Sequence, residues 1–177
     1  MRLFVAVRFA DPVKDAILER ARIVREHATK GTFTTPENYH LTLAFLGETA
    51  FADLTALKIV LASVRVVPFD FTLSGILRFE RADDAVVSLR GEGGSALTDL
   101  AAGIRAVLEG EGFPCDPKPF VPHLTIARGC DATALGLAAA AALPPITTRV
   151  EGFSLMSSDR EFGALVYRPL CTFPDRS

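Results

Sequence analysis

The sequence predicts an α+β fold built as two similar lobes. One observation is a pentapeptide written almost twice, His40-Leu41-Thr42-Leu43-Ala44 and His123-Leu124-Thr125-Ile126-Ala127. A second is the order of strand-like and helix-like segments. It runs strand–helix–strand–helix–strand–strand up to the middle of the chain, then helix–strand–helix–strand–strand. The third is that no stretch of linker composition separates the halves. A single bilobal domain over residues 1–177 is therefore expected, with one open sheet as the alternative.

Leu3 to Phe9 is apolar and β-branched, as in a buried strand. Asp11-Pro12 supplies an N-cap and a first-turn proline, and Val13, Ile17, Ala21, Val24 and Ala28 recur at helical spacing. Pro12 to about Ala28 is thus predicted as an amphipathic helix ended by Gly31. Thr34 to Asn38 reads as a turn into a strand from Tyr39 to Leu46, which Gly47 stops. A helix follows from about Ala52 to Val64. Two strands, Phe69 to Phe79 and Ala85 to Arg90, are joined by a turn at Ala82-Asp83-Asp84. After the loop Gly91-Glu92-Gly93-Gly94, Ser95 caps a helix through Leu108. A proline- and glycine-rich loop, Gly110 to Pro122, delivers the second motif strand, Pro122 to Arg128. An alanine-rich helix near Ala132 to Ala142 and two closing strands, Thr147 to Ser157 and Ala164 to Thr172, complete the chain.

The formal net charge of −2 argues against a protein that coats long nucleic acid, which needs a broad basic surface. It leaves room for one terminal nucleotide held by a local cluster of arginines. Cys115, Cys130 and Cys171 are odd in number and far apart, so neither a disulfide framework nor a zinc site is expected. The opening strand is interrupted too soon by Arg8 for a signal peptide, and the run from Leu135 to Leu143 is well short of a membrane span. A cytoplasmic monomer with no membrane attachment is expected.

Alternation along a strand places His, Thr and Ala at i, i+2 and i+4 on one face, with Leu41, Leu43, Leu124 and Ile126 facing a core. Each copy then offers an imidazole and a hydroxyl beside a small residue. Two such strands facing one another across a cleft suit acid–base work on a phosphate. One neutral histidine takes a proton from the attacking group, and one protonated histidine gives a proton to the leaving oxygen. Thr42 and Thr125 are spaced to donate to the nonbridging oxygens, where transition-state charge accumulates. Neither strand carries an acidic or cysteine residue on the histidine face, and catalytic zinc usually takes three protein ligands, so no metal is expected. No Gly-x-Ser-x-Gly elbow is present. His27, outside both motifs, receives no catalytic role, and Lys118 beside the second motif adds positive charge.

These residues resemble the 2H phosphoesterase superfamily, and within it the RNA 2′,3′-cyclic phosphodiesterases, also called 2′-5′ RNA ligases. The resemblance covers Arg2 to Val7, Pro36 to Gly47, Pro119 to Arg128, and a closing pattern of Phe153-Ser154-Leu155 with Ser157, Gly163 and Tyr167. The chain departs from the family in lacking tryptophan, with Phe33 near that place, and in having Tyr39 where leucine is usual. Phe79-Glu80-Arg81, leading into Val86 to Leu89, stands where a Pro-Arg pair is common.

The resemblance implies a bilobal fold whose antiparallel sheets line a central cleft, with helices outside. It also implies opening of a 2′,3′-cyclic phosphate at an RNA 3′ end to a 2′-phosphate, without cofactor. His123 would then be the base and His40 the acid, with Thr42 and Thr125 holding the phosphate. Arg128, five residues after His123, is a further phosphate-binding candidate if the strand bulges near Ala127. Phe45, at the equivalent place after His40, could stack on a base or belong to the core. The substrate that the resemblance implies is an RNA end or a small nucleotide. ATP-independent 2′-5′ joining and a non-catalytic nucleotide-binding module are the alternatives.

Overall fold

The computed structural model describes residues 1–82 and 84–174. In chain order its elements are β1 (Arg2–Arg8), α1 (Asp11–Glu26), β2 (Thr32–Phe33), β3 (His40–Glu48), α2 (Leu54–Ala62), β4 (Phe69–Glu80), β5 (Ala85–Glu92), α3 (Gly94–Gly110), β6 (His123–Cys130), α4 (Ala134–Ala141), β7 (Ile146–Val150), β8 (Phe153–Glu161) and β9 (Ala164–Phe173). The strands form two antiparallel sheets, one ordered β3-β1-β8-β9 and the other β2-β6-β5-β4-β7. The α+β class is as expected, and each sheet carries one motif strand.

The sheets are not successive halves of the chain. β2 leaves the first half to pair with β6, Thr32 opposite Arg128. β8 and β9 leave the second half to extend the sheet of β1. The closing strand expected from Thr147 to Ser157 is accordingly two strands in different sheets, with Glu151-Gly152 crossing between them. A side chain at Gly152 would collide with the Phe173 carbonyl oxygen, so the crossing needs a residue without Cβ.

Smaller corrections follow the same local chemistry. α1 starts at Asp11 with no side-chain cap from Ala10, and the Asp11 carboxylate instead pairs with Lys14 at 3.0 Å. α3 starts at Gly94, which puts Ser95 inside the first turn, where its carbonyl accepts from the Thr98 hydroxyl at 2.9 Å. β3 runs through Gly47 to Glu48. Within the expected turn Ala82 to Asp84, Asp83 lies outside the described residues.

One apolar cluster spans both sheets, including Leu3, Val5 and Leu41 from the first and Phe71, Leu89 and Leu124 from the second. Ile17 of α1 and Ile104 of α3 close over it. Leu41 and Leu124, each next to a motif histidine, are fully buried. Burying such a side chain stabilises by roughly 2 kcal/mol. A one-residue slip would expose the leucines and bury the histidines, so this burial fixes the register of both motif strands.

Candidate active site

Both motif strands contain a bulge at the same offset from their histidine. β1 pairs Val5 with Ala44 but Ala6 with Thr42, leaving Leu43 as the extra residue of β3. β5 pairs Val87 with Ala127 but Ser88 with Thr125, leaving Ile126 as the extra residue of β6. A bulge reverses the alternation beyond it. Ala44 and Ala127 therefore join Leu43 and Ile126 in the core instead of sharing the histidine face, which corrects the expected placement of the two alanines. Phe45 and Arg128, the next residues of each strand, return to the histidine side.

The two histidines are held in the same way. Each is the first residue of its strand, and each ring bonds through Nδ1 to the carbonyl two residues earlier. His40 reaches Asn38 O at 2.7 Å and His123 reaches Val121 O at 2.7 Å. A carbonyl oxygen only accepts, so Nδ1–H is the donor in both rings and Nε2 is the nitrogen left free to take or give a proton. Asn38 also clamps the neighbouring strand. Its amide donates to Leu165 O at 2.8 Å and accepts from the Tyr167 N–H at 3.2 Å. That places Tyr167 edge-on to His40, with ring centroids 4.9 Å apart, while Phe4 packs at 4.9 Å from the same imidazole.

A cavity of about 330 Å³ opens on this side, and His40, Thr42, Phe45 and Arg128 all line it, together with Arg2, Phe4 and Tyr167. The Arg2 guanidinium lies 5.0 Å above the centre of the Phe45 ring. His123 and Thr125 stand outside this wall on β6. The Phe79 ring meets His123 edge-on at 5.3 Å, and Thr125 accepts from the buried Ser88 hydroxyl at 3.4 Å. The loop before β6 docks on β3 where Asp116 N–H donates to Phe45 O at 2.9 Å, which ties the two motif strands together.

Burial pushes the His40 imidazole down to about 4; the Asn38 carbonyl opposes this, and Arg128 and His123 add to it. The ring is thus neutral near pH 7. Burial likewise raises the Tyr167 phenol. Among the described residues, no group of three or more His, Cys, Asp or Glu side chains is arranged to hold a metal, and no helix is long and apolar enough to cross a membrane.

Sequence pattern alone does not single out Arg2, Phe4, Asn38, Ser88 or Tyr167 as site residues. β1 holds the clearest signal, because Arg2, Phe4 and Ala6 alternate with Leu3, Val5 and Val7. Phe4 and Ala6 form a small apolar cluster of their own with Met156, against which Phe45 and Tyr167 pack. His27 is remote in role: its Nδ1 bonds Ile23 O at 2.9 Å and its ring packs closely on Gly136 of α4. Lys118 is exposed and lies 3.5 Å from the Asp116 carboxylate.

A family model described as the 2′-5′ RNA ligase superfamily matches residues 9–161. Among curated relatives, an RNA 2′,3′-cyclic phosphodiesterase of Thermus thermophilus is 33% identical across 98% of this chain and 89% of its own length. One from Archaeoglobus fulgidus is 36% identical across 72% of each. The Geobacillus stearothermophilus relative of the same description is 31% identical, and the match spans only 41% of its length. The crystal structure of TT0787 of Thermus thermophilus superposes with a TM-score of 0.80 at 31% identity, covering 98% of this chain and 97% of that one. That of E. coli LigT complexed with 3′-AMP gives 0.78 at 28% identity, covering 97% and 96%. The match in sequence extends over most of the residues and the match in fold over nearly all of them. The chain belongs to the 2′-5′ RNA ligase superfamily.

Proposed function

We propose that the protein opens the 2′,3′-cyclic phosphate at an RNA end to a 2′-phosphate, using His40 and His123 and no metal. The observation that carries this reading is the matched pair of imidazoles, each fixed through Nδ1 to a backbone carbonyl so that Nε2 is left for substrate. A binding site alone has no need of two titratable rings in one tautomer. Curated relatives described as RNA 2′,3′-cyclic phosphodiesterases support the substrate, and E. coli LigT structures with 3′-AMP and with phosphate support binding of a nucleotide phosphate.

In the proposed step, His123 Nε2 takes a proton from water as its oxygen bonds to phosphorus. The bond from phosphorus to O3′ breaks, and protonated His40 gives its Nε2 proton to that oxygen. One water is consumed, and the 2′-phosphate remains. Thr42, Thr125 and Arg128 donate to the nonbridging oxygens, and such donors stabilise the charge that develops there. Phe45 offers a face for the terminal base. Because burial holds His40 neutral in the free protein, the phosphate anion itself supplies the charge that draws a proton onto the ring.

The test is an RNA oligonucleotide ending in a 2′,3′-cyclic phosphate, incubated with the protein in EDTA, with the product phosphomonoester identified. Formation of the 2′-phosphate is expected. Absence of turnover, or turnover only with added metal, would overturn the proposal. A 3′-phosphate product would reverse the assigned leaving group.

A further inference from the structure

We infer that the catalytic cavity continues into a basic subsite, formed by Arg2 and Arg160, which takes the phosphodiester preceding the terminal nucleotide. The protein therefore prefers an oligonucleotide end to a cyclic mononucleotide. This rests on the function proposed above and adds to it a choice among its substrates.

The cavity at His40 adjoins a second depression of about 320 Å³, and the two share Arg2, Ser158, Arg160 and Leu165. The sheet explains why these residues converge. Arg2 of β1 pairs with Ser158 of β8, and Arg160 lies two residues further along the same face. Arg2 is braced over the Phe45 ring at 5.0 Å, and Arg160 is tethered where its Nη1 donates to Gly163 O at 3.4 Å across the β8–β9 turn.

The charges around them are unevenly spent. Two carboxylates, Asp159 and the Glu48 that pairs opposite Arg2, line the outer end of the depression; Asp159 accepts from the Ser157 hydroxyl at 2.8 Å, and Glu161 pairs with Arg168. Among the described residues, neither Arg2 nor Arg160 has a carboxylate partner within ion-pair distance. Where they line the His40 cavity, Arg2 and Arg160 stand with Arg128 and, among the described residues, no carboxylate lines that cavity, so the two guanidinium groups face an anion there. Guanidinium groups match phosphate oxygens in geometry as well as charge. Because Arg2 and Arg160 line the cavity that holds His40 as well as the depression beside it, an anion covalently joined to the bound nucleotide is the one that fits. In RNA that anion is the next phosphodiester.

The test compares kcat/KM for adenosine 2′,3′-cyclic phosphate and for the dinucleotide ApA ending in the same cyclic phosphate, in EDTA, at low and high salt. The dinucleotide should be favoured by about tenfold or more, an advantage that falls as salt screens the charges. In the Arg2→Gln/Arg160→Gln double variant the ratio should collapse toward one. A wild-type ratio near one, or a ratio unchanged in the variant, would overturn the inference. Calorimetric Kd values for the corresponding open 2′-phosphates provide a readout independent of turnover. If neither cyclic substrate is opened while the Kd preference persists and depends on the arginines, the proposed reaction fails and the subsite stands. If both are opened equally well, the subsite fails and the reaction stands.

Discussion

Adding a phosphate monoanion to the protein should raise the midpoint of the His40 imidazole by about three pH units. Burial against Phe4 and Tyr167, with Arg128 and His123 nearby, holds that ring at about 4. At pH 7 only about one ring in a thousand then carries the second proton, too few for a general acid. An anion ~4 Å from an imidazolium, at an effective dielectric constant of ~20, is attracted by about 4 kcal/mol. That energy corresponds to ~3 pK units and brings the ring to about 7, where a proton donor works best. An NMR titration of the imidazole Cε1–H signals, assigned with a His123→Ala variant and run with and without saturating inorganic phosphate, measures both midpoints. A free-protein midpoint near 6.5 would refute the burial reasoning. A midpoint that stays near 4 with phosphate bound would refute the claim that the anion sits beside His40 and loads its proton.

His40→Ala and His123→Ala should each lower kcat by at least about 10² while leaving the circular dichroism spectrum intact, and a near-normal rate in either variant would contradict the two-histidine step. Asn38→Ala keeps the carbonyl that orients His40 but loses the clamp on Leu165 and Tyr167. The expected result is a lower kcat together with a His40 midpoint moved toward 6.5, whereas a merely structural role would lower Tm alone. Tyr39 is 2% exposed and its hydroxyl has no partner among the described residues, so Tyr39→Phe should raise stability in urea by about 1 kcal/mol; a loss would show that the hydroxyl is bonded. The folded state also disfavours protonation of His40 relative to the unfolded chain. Unfolded chains bind the extra proton between pH 6.5 and about 4, so this contribution is full above that window and declines as pH falls through it, by about 3 kcal/mol in all. Urea unfolding of wild type and His40→Gln across this range should differ by that slope. The Asp131 carboxylate, held at about 2 by the Thr29 hydroxyl and nearby backbone N–H groups, acts below this window.

Much of the site was legible because it depends on short-range rules. A repeated His-x-Thr in an apolar frame fixes which residues face outward for three positions, and the structure keeps His40 with Thr42 and His123 with Thr125 on the open side of their strands. At the fourth position the rule fails. A bulge is set by the partner strand, and nothing in His-Leu-Thr-Leu-Ala says that Ala6 will face Thr42 while Val5 faces Ala44. The same limit hid the topology. Thr147 to Ser157 reads as one extended run because both of its parts are strands. Only the close approach of Gly152 to Phe173 reveals that the chain changes sheets there. Phe4 is brought to His40 by the pairing of β1 with β3, and Tyr167 by β9 through β8, which pairs with β1 between residues more than a hundred positions apart.

The exchange of strands between the sheets also orders events during synthesis. The sheet that carries His40 needs β8 and β9, which follow both histidines in sequence, so a nascent chain that has reached only β7 holds both histidines and yet lacks Tyr167 and Arg160. Domains tend to fold as their residues emerge from the ribosome. Both sheets share one apolar core, so the pocket at His40 is complete only when the β8–β9 hairpin has docked. Whatever the pocket does is thereby tied to completion of the sheet that β8 and β9 supply.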